Sequence, residues 1–240
     1  MMDDGRPAPL TIEAALNASS TVGSAWGTGN RRQFLILAAK GAAAIGLTTT
    51  MSGCVLAAAG HQKLDFRDDF GYLNFAYALE TVEADFYEKV CAAPPRDLRP
   101  GELQLLQDIR DHEVAHRRFF KRALQLLRAH LPARQFPGID FGSRVSVLTA
   151  ARNFEDLGVA GYNGAGTHLQ LAEFLTIAGK IVSVEARHAA AIRDLLNPGS
   201  RDFAGDDVVD AMGMDRALDP GAVLAQAQKY FAAPFRVAGL

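Results

Sequence analysis

The sequence predicts an all-α protein, a four-helix bundle with a long crossover between its second and third helices and a short helical tail at the C-terminal end. Three observations carry this reading. Apolar residues recur at alternating three- and four-residue steps almost throughout from about residue 65 onward. The runs are broken at Ala93-Pro94-Pro95 to Pro100-Gly101, at Leu131-Pro132 to Gly142 and at Asn197-Pro198-Gly199, where proline and glycine interrupt helical backbone. No stretch shows sustained alternation of β-branched residues, so a sheet is not expected. The breaks give helices near 66–91, 101–130, 144–165 and 168–196, which make a bundle over 65–196, and a tail over 197–240 with a short helix near 220–232. The connection from Leu131 to Ser143 reaches about 43 Å when extended, enough to cross the length of such a bundle.

Composition narrows the chemistry. Of 240 residues, 25 are Lys or Arg and 27 are Asp or Glu, a net charge of -2. That balance provides no whole-chain field for gathering nucleic acid, and no nucleic-acid partner is expected. The two cysteines, Cys54 and Cys91, are too few for a disulfide framework or a Cys-rich metal site. Any metal must then be held by histidine and carboxylate.

Residues 1–59 read as a processing segment. Asn30-Arg31-Arg32-Gln33-Phe34-Leu35 precedes a mildly apolar stretch rich in Ala, Gly and Thr, and the arrangement looks like a twin-arginine export signal. An uncleaved membrane helix is the alternative, but Lys40 lies inside the stretch and its glycines weaken a span. Two cleavage readings stand side by side. Ala57-Ala58-Ala59 offers small residues for cleavage near 59/60, while Met51-Ser52-Gly53-Cys54 resembles a lipoprotein box, with cleavage near 53/54 and acylation of Cys54. The expected location is exported, periplasmic or cell-envelope, with the twin-arginine machinery as a partner and membrane anchoring if Cys54 is lipidated.

The inward stripe of each helix carries one glutamate among apolar residues. It reads Leu73, Tyr77, Glu80, Ala84, Tyr87 on the first helix and Leu106, Ile109, Glu113, His116, Phe120, Leu127 on the second. The third gives Leu148, Ala151, Glu155, Gly158, Tyr162, and the fourth Leu171, Phe174, Ala178, Ile181, Glu185, His188, Ile192, Leu195. A buried carboxylate without a partner costs several kcal/mol, so four of them call for positive charge between them. Glu113-x-x-His116 and Glu185-x-x-His188 each aim a carboxylate and an imidazole the same way from one helical turn. Four Glu and two His balance two divalent cations and suit a dinuclear carboxylate site.

The pattern is not accidental. With 6 His and 9 Glu in the chain, chance supplies about 0.2 Glu-x-x-His pairs, and two are present. Glu80 and Tyr87 are seven apart, as are Glu155 and Tyr162. The motifs interleave as two copies of one helical hairpin, an internal duplication.

On these residues the chain resembles the ferritin-like superfamily, and more closely its exported ferritin-like domain group of desiccation-related type. Asn74-Phe75-Ala76 through Tyr87 is similar to that group's first helix, Glu155-Asp156-Leu157-Gly158-Val159 with Tyr162 to its third, and Val184-Glu185-Ala186-Arg187-His188 to its fourth. The resemblance implies that Glu113 and Glu185 bridge two metal ions, that Glu80 and Glu155 are terminal ligands, and that His116 and His188 each bind one ion. Tyr87 and Tyr162 are then expected to donate to the terminal glutamate of the opposite half, which requires the first and third helices to run antiparallel. One departure stands out. Ferritins often place an Asp just before the Glu of the second and fourth helices to orient the opposing His, and this chain has His112 and Val184 there.

Other polar residues take plainer readings. Glu83 and Glu88 lie off the stripe and are expected at the boundary or in solvent, Glu83 being the substitute ligand should Glu80 fail. His112 is expected at the surface, and His61, His130 and His168 at helix ends or linkers. The functional expectation is a di-iron or di-manganese oxidoreductase acting on dioxygen, peroxide, ferrous iron or a small-molecule substrate in stress protection. The alternative is a non-enzymatic metal-binding or structural stress protein built on a degenerate bundle.

Overall fold

The computed structural model describes residues 63–240; the expected export segment, with Arg31, Arg32 and Cys54, lies outside the described residues. Helices α1 (Asp69–Ala92), α2 (Glu102–Leu124), α3 (Arg144–Gly166) and α4 (Ala172–Leu196) form the bundle, and α5 (Pro220–Ala227) lies in the tail. α1 packs chiefly on α2 and α3 on α4, and the two hairpins meet along α1 and α3. This is the all-α bundle that the sequence predicts.

Each helix start has a chemical cause. The Asp68 side chain caps α1 by accepting from Gly71 N at 3.2 Å. Asp69, itself buried, accepts from the backbone N–H groups of Gln170 and Leu171, both at 2.9 Å, and so ties the α3–α4 turn to the first turn of α1. α2 starts at Gly101, whose φ of 86° lies in the left-handed region open to glycine. The buried pair of Arg144 and Glu102 joins the starts of α3 and α2.

α1 is enclosed on nearly every face, whereas α2 buries a single stripe. That difference follows from position: α1 contacts α2, α3 and the strand that precedes it, while α2 has solvent on its outer side. At one end of the bundle Phe86 packs against Phe136, Phe141 and Phe154, and Tyr230 of the tail closes on Phe154 with ring centroids 4.6 Å apart.

The glycines of α3 make room for close neighbours. A Cβ on Gly164 would lie 1.8 Å from Leu218 O, and Leu218 N donates to Ala160 O at 2.9 Å, so the tail backbone lies directly on the helix. Gly161 admits Phe75, Leu79 and Val223 in the same way. Arg193, buried, ties α4 to α3 and to the tail through Asp156 and Asp207, each with a contact of 2.7 Å.

Three local expectations change. α2 ends at Leu124 rather than near residue 130; Gln125 turns the chain out at φ 45°, a 3-10 turn follows over Gln125–Leu127, and Leu127 is left half-exposed instead of inward. Nothing in the local sequence marks that break, because its cause is tertiary. The buried Asn74 side chain accepts from Ala129 N at 2.6 Å and donates to Leu127 O at 2.9 Å, clamping the segment across α1. α4 begins at Ala172, and Leu171 at its cap is exposed. A short parallel pair is present where no sheet is expected: β1 (Lys63–Asp65) and β2 (Arg236–Ala238), in the register Lys63↔Arg236. It is too short for an alternation pattern to reveal it.

Candidate metal centre

The four stripe glutamates lie at the centre of the bundle and are buried, with Glu80, Glu113 and Glu155 fully so and Glu185 at 1 % exposure. Helical spacing places the imidazoles among them. His116 Nδ1 lies 2.9 Å from Glu185, 3.3 Å from Glu80 and 3.5 Å from Glu113. His188 Nδ1 lies 2.9 Å from Glu113, 3.1 Å from Glu185 and 3.4 Å from Glu155. Each imidazole therefore faces Glu113 and Glu185, one from each hairpin, and one of Glu80 and Glu155.

Two groups of four ligand atoms result, Glu80, Glu113, His116 and Glu185, and Glu113, Glu155, Glu185 and His188, with the atoms of each group within 4.8 Å of one another. Glu113 and Glu185 belong to both. The donor set of carboxylate oxygen and imidazole nitrogen suits first-row divalent cations. The buried atoms without a hydrogen-bond partner make the fit sharper. They include Glu80 Oε2, both oxygens of Glu113, His116 Nδ1, Glu155 Oε2 and Glu185 Oε1. Protein interiors seldom leave so many polar atoms unpaired, and here nearly all of them converge on one place. His116 Nδ1 and Glu185 Oε1 approach to 2.9 Å without an aligned hydrogen bond, the disposition of ligands turned toward a shared centre rather than toward each other.

The tyrosines cross between the hairpins. Tyr87 Oη of α1 donates to Glu155 Oε1 of α3 at 2.5 Å, and Tyr162 Oη of α3 donates to Glu80 Oε1 of α1. One oxygen of each terminal glutamate is thus held by a phenol, and the other is left facing the centre. Burial and the adjacent carboxylates push both phenols well above their usual range, so they remain donors at neutral pH.

Without cations the cluster manages its charge with protons. Burial disfavours charge on His188, but the adjacent carboxylates of Glu113, Glu155 and Glu185 outweigh it and hold its pKa up at about 12; His116 is raised in the same way by Glu113, Glu185 and Glu80. Burial raises Glu113 and Glu155. Glu185 moves the opposite way from Glu113 and Glu155. Burial lifts it too, but the close approach of both imidazoles prevails and draws it down to about 2.

Two residues near the site differ from their plain sequence readings. Glu83 is buried, not at the boundary, with Oε2 unpartnered, and burial followed by repulsion from Glu113 and Glu80 keeps its carboxyl well above the usual range. It lies against Gly158, where a Cβ would stand 3.0 Å from Glu83 Oε1. The signal was present in the repeat: Glu83 stands three residues after Glu80, and Gly158 three after Glu155, so the second hairpin leaves the space that the first fills. Glu88 is exposed and pairs with Arg117.

His112 is exposed, yet its Nδ1 lies 3.0 Å from His188 Nε2. The rings are within 8° of parallel with centroids 5.2 Å apart, which together with the short N···N distance describes an edge-to-edge imidazole pair. His188 turns Nδ1 to the carboxylates and Nε2 to His112, so His112 fixes its orientation. Val184, at the corresponding place before Glu185, has no polar atom to offer His116.

A comparison with curated proteins finds no match. The ferritin-like domain profile matches residues 68–198, more than half of the sequence and all four bundle helices. Helical architecture, the duplicated glutamate and histidine pattern and this match agree, and the chain belongs to the ferritin-like domain family.

Proposed function

We propose that this chain is an exported protein that holds two divalent ions of iron or manganese and uses them as an oxidoreductase toward dioxygen, peroxide or ferrous iron in stress protection. The observation that carries the reading is the pair of four-residue groups sharing Glu113 and Glu185. Such a bound pair would supply adjacent redox centres for reaction with a small oxidant. The chain's own groups do the rest. Glu113 and Glu185, common to both groups, would serve both ions, and Glu80 with His116 and Glu155 with His188 would complete one position each. Tyr162 and Tyr87 each fix one oxygen of a terminal glutamate and leave the other to turn inward. Burial of all four carboxylates keeps bulk water from competing for them.

Protons are part of the design. His116 and His188 must release the proton on Nδ1 when a cation arrives, and Glu113 must release its own. The arginine pair Arg31-Arg32 supports export by a route that carries folded cargo, which allows the centre to be filled before translocation.

Elemental analysis of protein isolated from its own compartment tests the metal reading, followed by single-turnover reaction of the reduced protein with peroxide or dioxygen. About two ions per chain and oxidation faster than that of the free ions are expected. Fewer than one ion, or no acceleration, would count against it. Arg31→Lys with Arg32→Lys is expected to leave the precursor in the cytoplasm, and normal export of that variant would refute the signal.

A further inference from the structure

Residues 117–134 carry Arg117, Arg118, Lys121, Arg122, Arg128 and Arg134 without a single Asp or Glu, in a chain whose net charge is -2. On a straight helix these cations would spread around its circumference. The break at Gln125 instead folds the segment back, so that Arg128, His130 and Arg134 line the same cleft of about 470 Å³ as Arg117, Arg118 and Lys121.

Gathering like charges around a concavity costs free energy, and the fold commits particular residues to doing so. Gln125 is the one non-glycine residue with positive φ among the described residues. Asn74, buried in α1, fixes Leu127 and Ala129 on either side of Arg128. Two of the cations are neutralised internally: Arg117 pairs with Asp85 at 2.6 Å and Glu88 at 2.8 Å, and Arg134 with Asp85 at 2.5 Å. Arg118, Lys121 and Arg128 have no acidic partner among the described residues, and the Arg128 guanidinium is steadied over the Tyr77 ring at 5.9 Å. The cleft thus presents two guanidinium forks and an ammonium on a preorganised wall.

We infer that this cleft binds a phosphate group, a compact multivalent oxyanion that guanidinium forks can grip through paired hydrogen bonds. The same chemistry is offered by free inorganic phosphate and by the headgroup of an anionic phospholipid. The site is separate from the buried carboxylate centre, whose atoms carry the opposite charge.

The test uses the full-length, metal-loaded protein. Inorganic phosphate is titrated calorimetrically at low and at physiological salt, and co-sedimentation is measured with vesicles of phosphatidylglycerol in phosphatidylcholine against phosphatidylcholine alone. The variant Arg118→Gln/Lys121→Gln/Arg128→Gln alters exposed side chains, and its melting temperature is compared first to establish that it is folded. Phosphate binding that weakens with salt and falls at least about tenfold in the variant supports the inference with the free anion as ligand. Binding only to the phosphatidylglycerol vesicles, lost in the variant, supports it with the lipid headgroup as source. Binding retained by the folded variant would mean that phosphate sits on the metal centre or elsewhere and would overturn the inference. Absence of binding to either probe at low salt would overturn it as well.

Discussion

The two hairpins of the bundle repeat one another where they meet the centre and diverge one layer out. Glu80, Glu113, His116 and Tyr87 in the first correspond to Glu155, Glu185, His188 and Tyr162 in the second, and the contacts correspond too. Behind them the correspondence stops. Glu83 faces Gly158, and His112 supports His188 while Val184 offers His116 nothing. On the proposed function, the six central residues are constrained by what a pair of like cations would need, so duplication preserves them. The supporting layer is free to differ, and it makes the two positions chemically unequal.

The harshest way to break the repeat is to remove what both hairpins share. Glu113→Ala with Glu185→Ala is expected to reduce metal content from about two ions per chain to near none, whereas Glu80→Ala or Glu155→Ala should cost chiefly one ion. Elemental analysis of the dialysed variants distinguishes these. Two tightly held ions in the double variant would end the assignment.

Acid should weaken both positions. The imidazole of His188 holds its proton up to about 12 without cations, so at neutral pH metal binding must displace it. Affinity is then expected to fall by about tenfold per pH unit for each proton displaced, read by chelator competition between pH 6 and 8. A flat profile would show that Nδ1 is not a ligand. The same protons govern the metal-free fold. His116 and His188 bind protons more tightly folded than unfolded, and their contribution, complete below the ordinary imidazole range, declines as pH rises above it. Glu113 and Glu155, also raised, cost stability once pH exceeds the ordinary carboxyl range. Glu185 acts in the opposite sense, its contribution being complete above the ordinary carboxyl range and lost as pH falls from there through about 2. Melts of metal-free protein from pH 5 to 8 should therefore show declining stability.

The inequality of the two positions is probed by His112→Ala. Loss of an orienting partner commonly costs about 10- to 100-fold in metal affinity, and the effect should fall on the His188 ion alone. Titration resolving two classes of site checks this; an equal loss at both would remove the asymmetry. The smallest effect is expected from Gly158→Ala, whose Cβ meets Glu83 Oε1. Combined with Glu83→Ala in a double-mutant cycle, it should reveal a coupling of about 1 kcal/mol, since the shortened residue 83 vacates the contested space. Simple additivity would show that the two do not compete.

The convergence of the four glutamates, two histidines and two tyrosines was legible in the sequence because Glu-x-x-His and the seven-residue Glu to Tyr step are geometric statements as much as compositional ones. Glu83 was misplaced because angular offset from a stripe implies solvent only for a helix with an open side, and α1 has almost none. His112 sits at the edge of its stripe, and its contact is made with α4, to which no local pattern in α2 refers. The end of α2 was hidden for a similar reason. No proline or glycine stands at Gln125, and the cause of the break, Asn74, lies fifty residues earlier in the chain.

The β1–β2 pair bears on when the domain can be finished. Lys63 at the start of the described residues is matched with Arg236, so this contact encloses the whole bundle in sequence. Contacts of such long sequence separation are among the slowest to form, since the intervening chain must be ordered or looped first. During synthesis the four helices and their ligands are all made before Val237 exists. The clasp is therefore a late event, available only once Arg236–Ala238 has been made, and a chain cut short in the tail would carry all four central glutamates and both histidines while lacking the strand that pairs with β1.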